Sequence, residues 1–274
     1  MTDALLDIAR TGSGEPLLLL HGMGTSRRDF AAMAPGLAED FEVVAMDLPG
    51  HGQSPPLACR PTIAAFADAV EATLDAHGLH RVHVLGNSLG GRVAIELAVR
   101  GRARSVVAVA PSGMGLPPER LMQASALAAG RIVLRRLAPA IEPLGRSRAG
   151  RVALLASLKA RPWAASREEA VGLREGFSES HDFWRMLLWG LLLDVPRALK
   201  TISCPVTLVQ GTRDLLAPGQ AVRYLPLVPT ARFQPLVLAG HAPQSDRPRT
   251  ILALVHETAG EASPDRPLRQ ALAA

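Results

Sequence analysis

Residues 82–91 read VHVLGNSLGG, and the reading of this stretch decides the rest. VHVL (82–85) is a short apolar run, and LGGRVAIELAVR (89–100) has helical spacing, so Gly86-Asn87-Ser88-Leu89-Gly90 falls at a strand-to-helix turn. The pattern is G-x-S-x-G in the context that gives it meaning. A serine hydroxyl projects from a sheet edge only if the turn is tight and strained, and Gly86 and Gly90 remove side chains that would collide across it. The helix starting there points backbone N–H groups at any negative charge that develops. The plainer alternative is a Gly-rich turn with an incidental serine.

Outward from this turn, short apolar runs alternate with helical stretches. EPLLLL (15–20), FEVVAM (41–46) and SVVAVA (105–110) join VHVL as strands buried on both faces. Helices are expected over 27–37, 62–77 and 89–100; in the second, Ile63, Phe66, Val70 and Leu74 share one face. Such alternation means parallel strands joined by crossover helices. From 114 to 197 the chain becomes rich in Ala, Leu and Arg with no β-run, and is broken by Pro117-Pro118, Pro139, Pro143, Gly145 and Pro162. The alternation resumes with PVTLVQ (205–210), a short helix at 219–225, a strand at 232–238 and a helix at 249–256. The expected organisation is an α/β core of 1–113 and 198–260, a helical insert of 114–197 and a mobile tail of 261–274.

A serine is a poor nucleophile until a base removes its proton. Asp214 follows the strand PVTLVQ and His241 follows the strand at 232–238, both at C-terminal strand ends, where a parallel sheet places its ligands. The expected roles are Ser88 as nucleophile, His241 as base and then acid, and Asp214 as the group that fixes and stabilises the imidazole. Asp is also a common turn residue. Of the other histidines, His77, His80, His83, His181 and His256 lie in or beside helices, strands or the insert, and His51 in a Gly-rich loop. His21 follows a strand but precedes the serine, so it is expected to anchor the loop His21-Gly22-Met23-Gly24. Backbone N–H groups of Met23 and Leu89 are the expected oxyanion donors.

The pieces HGMG, DLPGHGQS (47–54), GNSLGG, CPVTLVQGTRDLLAP and GHAPQSDRP together resemble the cap-bearing serine hydrolases of the α/β-hydrolase superfamily, over about residues 5–259. The order Ser88, Asp214, His241 is the chain order of that superfamily's triad. The resemblance implies a mostly parallel eight-stranded sheet, with a helical cap inserted after the sixth strand. Serine at 88 differs from the carboxylate nucleophile of haloalkane dehalogenases and epoxide hydrolases. Three functions remain open. One is hydrolysis of a carboxylic ester or lactone. A second is carbon–carbon bond hydrolysis of an acidic vinylogous diketone, as in the hydrolases of aromatic ring-cleavage products. Asn87 and the Gly90-Gly91 pair are similar to that family, and Arg174 falls where it keeps a substrate-binding arginine, but Ala242 stands where it carries Trp. The third is a non-enzymatic binding protein on the same scaffold. Arg174 has a simpler reading, a surface arginine paired with Glu175 or Glu179. Trp184, within the cluster Phe183, Trp184, Met186, Leu187, Leu188 and Trp189, could roof an apolar pocket or pack the insert onto the core.

Composition narrows the partners. In 274 residues, 48% are hydrophobic and 20% charged, which suits a folded globular chain. Two cysteines exclude a disulfide framework, and no charge-free apolar run is long enough for a membrane span. MTDALLDIAR does not read as a signal peptide, so a cytoplasmic location is the expectation. The net charge of +5 lies in residues 114–197, with 13 basic and 8 acidic residues. A neutral scaffold with a basic insert argues against a general nucleic-acid binder and permits an anionic substrate, an acidic partner or a membrane surface, the plainer reading being a solvated, Arg-rich helical face. The expected partner is a small-molecule substrate, anionic or apolar. Serine acyl transfer needs no metal or organic cofactor.

Overall fold

The computed structural model describes residues 5–262. Among them lies one sheet of seven strands: β1 (Ile8–Thr11), β2 (Glu15–Leu20), β3 (Phe41–Met46), β4 (Val82–Asn87), β5 (Ala103–Val109), β6 (Val206–Gly211) and β7 (Ala231–Leu236). Their spatial order is β1-β3-β2-β4-β5-β6-β7. Only β1 pairs antiparallel, to β3; the other pairings are parallel. The expected eighth strand is absent among the described residues, and the helical insert follows the fifth of the seven strands.

The apolar runs are buried on both faces because the sheet has a layer on each side. Leu18 and Leu20 of β2 face the layer built by the helices Ile63–Ala76 and Leu89–Val99. Leu17 and Leu19 face Phe30, Met33, Leu37 and the helix Pro248–Glu261. Each such fully buried Leu or Phe contributes about 2 kcal/mol. In the helix Ile63–Ala76, Ile63, Phe66, Val70 and Leu74 are buried as their spacing requires, and the Thr62 side chain caps it by accepting from Ala65 N.

Two expected helices are shorter than their patterns. Residues 27–37 split into a 3-10 turn, Arg27–Phe30, and a single turn, Ala34–Leu37, because Pro35 has no N–H and cannot continue a preceding helix. Residues 219–225 give only the 3-10 turn Ala221–Tyr224, after Gly219 at φ +67. Between β5 and β6 the chain leaves the sheet and forms the helices Pro117–Arg136, Ala138–Gly145, Arg148–Leu155 and Arg167–Leu173, followed by wider π-type turns at Arg174–Ser178 and Met186–Leu193. The helix Pro248–Glu261 takes in the first residue of the expected tail; residues 263–274 lie outside those described. No helix among the described residues is long and apolar enough to cross a membrane.

Candidate active site

The site forms where the topology gathers loops at the C-terminal ends of β2, β4, β6 and β7. β2 and β4 are neighbours, with Leu20 opposite Gly86, so the His21-Gly22-Met23-Gly24 loop lies against the Ser88 turn. Ser88 has φ 54 and ψ −111, a conformation that costs about 1–3 kcal/mol and persists only when the surroundings dictate it. They do so through close backbone contacts. A Cβ on Gly86 would sit 2.3 Å from the Gly90 carbonyl oxygen, and one on Gly90 would sit 2.1 Å from that of Leu20. Gly90 N donates to His21 O (3.1 Å) and Ser88 N to Val109 O (2.8 Å), tying the turn to β5 and to the loop after β2.

Asp214 and His241 meet at 2.9 Å, Oδ2 to Nδ1, both buried. The carboxylate is held from several sides. Its Oδ1 accepts from Leu216 N and Ala217 N, each at 2.9 Å, and the Gln210 side chain donates to Oδ2. Burial pushes this carboxyl up, but the charge and hydrogen bond of His241, with the two amides, outweigh it and hold it below the usual range. The far nitrogen of the ring, His241 Nε2, is buried and has no hydrogen-bond partner. That nitrogen belongs to a residue lining the same small cavity as Ser88, with Gly22, Met23, Asn87, Leu127, Leu158, Leu173 and Leu216 among its walls. A second small cavity shares Met23, Ser88 and Leu127 and continues to Leu89, Ser112, Gln123 and Met186. Ser88 thus stands between two spaces, and residues Met23 and Leu89 flank it. Among the described residues neither the Met23 nor the Leu89 amide donates to a backbone carbonyl.

Two neutral histidines support the loop after β2. His21 Nε2 accepts from Leu48 N (2.9 Å), so its Nδ1 carries the proton and donates to Gly22 O (2.8 Å). His51 Nε2 accepts from Gly24 N (3.2 Å) and its Nδ1 donates to Pro49 O (3.0 Å). Burial, followed by the neighbouring His21, pushes the His51 pKa down to about 3. The anchoring expected of His21 is therefore shared with His51, whose place in a Gly-rich loop gave no hint of it.

The three expected substrate contacts fare differently. Asn87 lines the cavity, but its amide donates to Val109 O (3.3 Å) and His241 O (3.0 Å), bracing the histidine loop to β5. Arg174 is not brought to the cavity. It is partly exposed and paired with Glu179 (3.2 Å) and Glu142 (3.8 Å), while Glu175 turns to Ser26 and Arg28. Trp184 is 51% exposed and packs edge-on against Phe183 on the outer side, because Phe183 and Met186 take the inward positions of that turn. Sequence reasoning missed Gln210, Asp29 and Lys159; the last two line the cavity. Their residue types are common on surfaces, and no local pattern marked them. Among the described residues no group of three His, Cys, Asp or Glu side chains could hold a metal ion.

Comparison with known proteins agrees with this architecture. The chain is 34% identical over 244 residues to a pimeloyl-[acyl-carrier protein] methyl ester esterase of Chromobacterium violaceum, covering 87% of this chain and 91% of that protein. It is 43% identical over 110 residues to a dihydrolipoyllysine-residue acetyltransferase component of an acetoin cleaving system of Cupriavidus necator, covering 39% of this chain but only 29% of that longer protein. A thermophilic esterase of Thermogutta terrifontis superposes with TM-score 0.72 at 22% identity, over 94% of this chain and 93% of that one, which speaks to the fold. A match to the alpha/beta hydrolase family spans residues 17–254. With a seven-stranded sheet of this order and a family match over most of its length, the chain belongs to the alpha/beta hydrolase family.

Proposed function

We propose that this hydrolase cleaves a small to medium carboxylic ester or lactone through an acyl-enzyme formed on Ser88. The observation that carries the reading is the state of His241: one ring nitrogen is bonded to Asp214, and the other is buried with no partner, Ser88 included, in a residue that lines the same cavity as Ser88. An imidazole whose Nδ1 donates to a carboxylate has a lone pair free at Nε2, which is what a base needs. Ser88 Oγ adds to the carbonyl carbon as its proton passes to His241 Nε2. The oxyanion is received by the amides of Met23 and Leu89, each worth about 3 kcal/mol in the barrier. The tetrahedral adduct collapses as His241 gives its proton to the departing alkoxide. Water then repeats the sequence on the acyl-enzyme and frees the acid and Ser88. Asp214 keeps the imidazole in the required tautomer and balances its charge when protonated.

We take residues 114–197 as a cap over this site and 1–113 with 198–260 as the core. The cavity beside Ser88 has a volume of only about 30 Å³, so substrate enters when the cap moves. The ester reading is favoured over carbon–carbon hydrolysis because Arg174 is turned away from the cavity and Ala242 lines it. It also draws support from the full-length esterase relative. Steady-state hydrolysis of p-nitrophenyl esters by wild type and Ser88→Ala tests it. Turnover should fall by about 10⁵-fold or more in the variant; equal turnover by the two proteins would refute it.

A further inference from the structure

The cavity beside Ser88 is apolar along most of its wall, but one end is not. Lys159, Asp29 and Thr25 line it together. All three are buried, Lys159 at 5% and Asp29 at 6% exposure. The Lys159 ammonium is paired with Glu169, itself buried. Glu169 is held rigidly: its other oxygen accepts from Ser166 N (2.8 Å) while its own amide donates to Ser166 Oγ (3.1 Å). The Thr25 hydroxyl donates to Gly22 O (3.1 Å). Asp29 differs from the others. Among the described residues its carboxylate accepts no hydrogen bond, although its charge reaches Lys159 and helps offset the burial that lowers the lysine's pKa. Its side chain borders the cavity, where water or a ligand group can donate to it.

Summing formal charge around this cavity decides what it accepts. Lys159 and Glu169 sum to zero whichever of them holds the proton. Asp29 adds a further acidic side chain, and no ion pair among the described residues matches it. This end of the cavity thus gathers two acidic side chains and one basic one, although the insert as a whole is basic. The excess arginines are outside: Arg135, Arg136, Arg146 and Arg148 are exposed. An entering carboxylate would face Asp29 in a site of low dielectric, where like charges repel strongly.

We infer that the Asp29–Lys159 end of the cavity is the specificity site of the enzyme, taking a non-anionic hydrogen-bond donor, such as a primary amide, on the substrate chain. The donor satisfies Asp29, an acceptor on the same group is met by Lys159, and the apolar walls of Leu127, Leu155, Leu158 and Leu173 take the intervening carbons. This rests on the triad reading above and goes beyond it, to the class of substrate that reaches Ser88.

The test compares two nearly isosteric esters, one ending in a primary amide and one in a carboxylate, over chain lengths of five to seven carbons. One set carries the tip on the acyl chain and another on the alcohol, with acid release followed by pH-stat. In one of the two sets, wild type should favour the amide by at least about tenfold in kcat/KM. Asp29→Asn should lower that amide-to-carboxylate ratio by about tenfold or more. Lys159→Met with Glu169→Gln, which removes both members of the ion pair together, should weaken the amide preference without creating one for carboxylate. A carboxylate turned over as well as the amide in both sets, or a ratio unchanged in Asp29→Asn, overturns the inference. Labelling of wild-type Ser88 by a fluorophosphonate separates the two levels: labelling with a flat ratio defeats the specificity site alone. Failure of both labelling and turnover defeats the triad and this inference with it.

Discussion

The residues that set this site are held by partners that leave little freedom. Asp214 accepts from two backbone amides, Gln210 and His241, so its orientation survives burial. His51 shows the same logic in a residue outside the proposed triad. It is buried as a neutral ring because Gly24 N needs an acceptor, and its pKa falls to about 3. In the unfolded chain it binds a proton near pH 6.5, a proton the native state refuses until about pH 3. Stability therefore falls as pH drops below about 6.5, by up to about 1.4 kcal/mol per unit from this group. His51→Gln, whose side-chain oxygen can still accept from Gly24, should show a shallower loss between pH 7 and pH 5, read from urea midpoints. Parallel pH dependence in the two proteins would contradict the role. Sequence alone marked Ser88 by its G-x-S-x-G turn, and Asp214 and His241 because each follows a strand in the chain order of a triad. It did not mark His51, Gln210, Asp29 or Lys159, whose roles depend on neighbours distant in the chain. Arg174 takes the simpler of its two readings for a physical reason: at an exposed position beside Glu142 and Glu179, pairing in solvent requires no burial of its charge.

At the scale of elements, the helical insert is stitched to the loops it covers. His241 N and Ala242 N both donate to Leu158 O (2.8 and 3.2 Å). Asp246 accepts from Gly240 N (2.7 Å), Ala160 N (3.0 Å) and Arg161 N (2.7 Å), so one carboxylate joins the histidine loop to the insert. On the other side Phe177 packs on Gly24, where a Cβ would lie 2.3 Å from its ring, and a Cβ on Gly176 would lie 2.1 Å from the Gly24 carbonyl carbon. Buried Arg131 fixes that segment by donating to the carbonyls of Phe177 and Ser180. The insert thus touches both the His241 loop and the loop of Met23. Asp246→Ala strands three amides and should cost about 3 kcal/mol or more. It should also speed hydrogen exchange at 160, 161 and 240 while leaving β2 and β4 protected. Unchanged exchange at those amides would show that the carboxylate does not hold the join. The existence of a helical insert was legible from its Ala, Leu and Arg content and its prolines. Its seating was not, since that depends on single glycines meeting backbone across a gap.

For the whole molecule, alternating apolar runs and helical patterns were enough to anticipate a parallel sheet, because strands buried on both faces must be apolar throughout. Edge strand β1 escaped: IART is partly exposed and carries no apolar alternation. The excess of +5 over 114–197 was legible in the sequence, but its distribution was not: Arg135, Arg136, Arg146 and Arg148 are exposed while Arg131 and Lys159 are buried. The central claim, that Ser88 is a nucleophile made reactive by His241 and Asp214, is tested most directly by fluorophosphonate labelling followed by peptide mapping. Wild type should react once per chain, at Ser88, and the adduct should vanish in Ser88→Ala. In Asp214→Asn the labelling rate should drop by about 10³-fold or more with the protein still folded. Adduct at another residue, or equal rates in wild type and Asp214→Asn, would contradict the account.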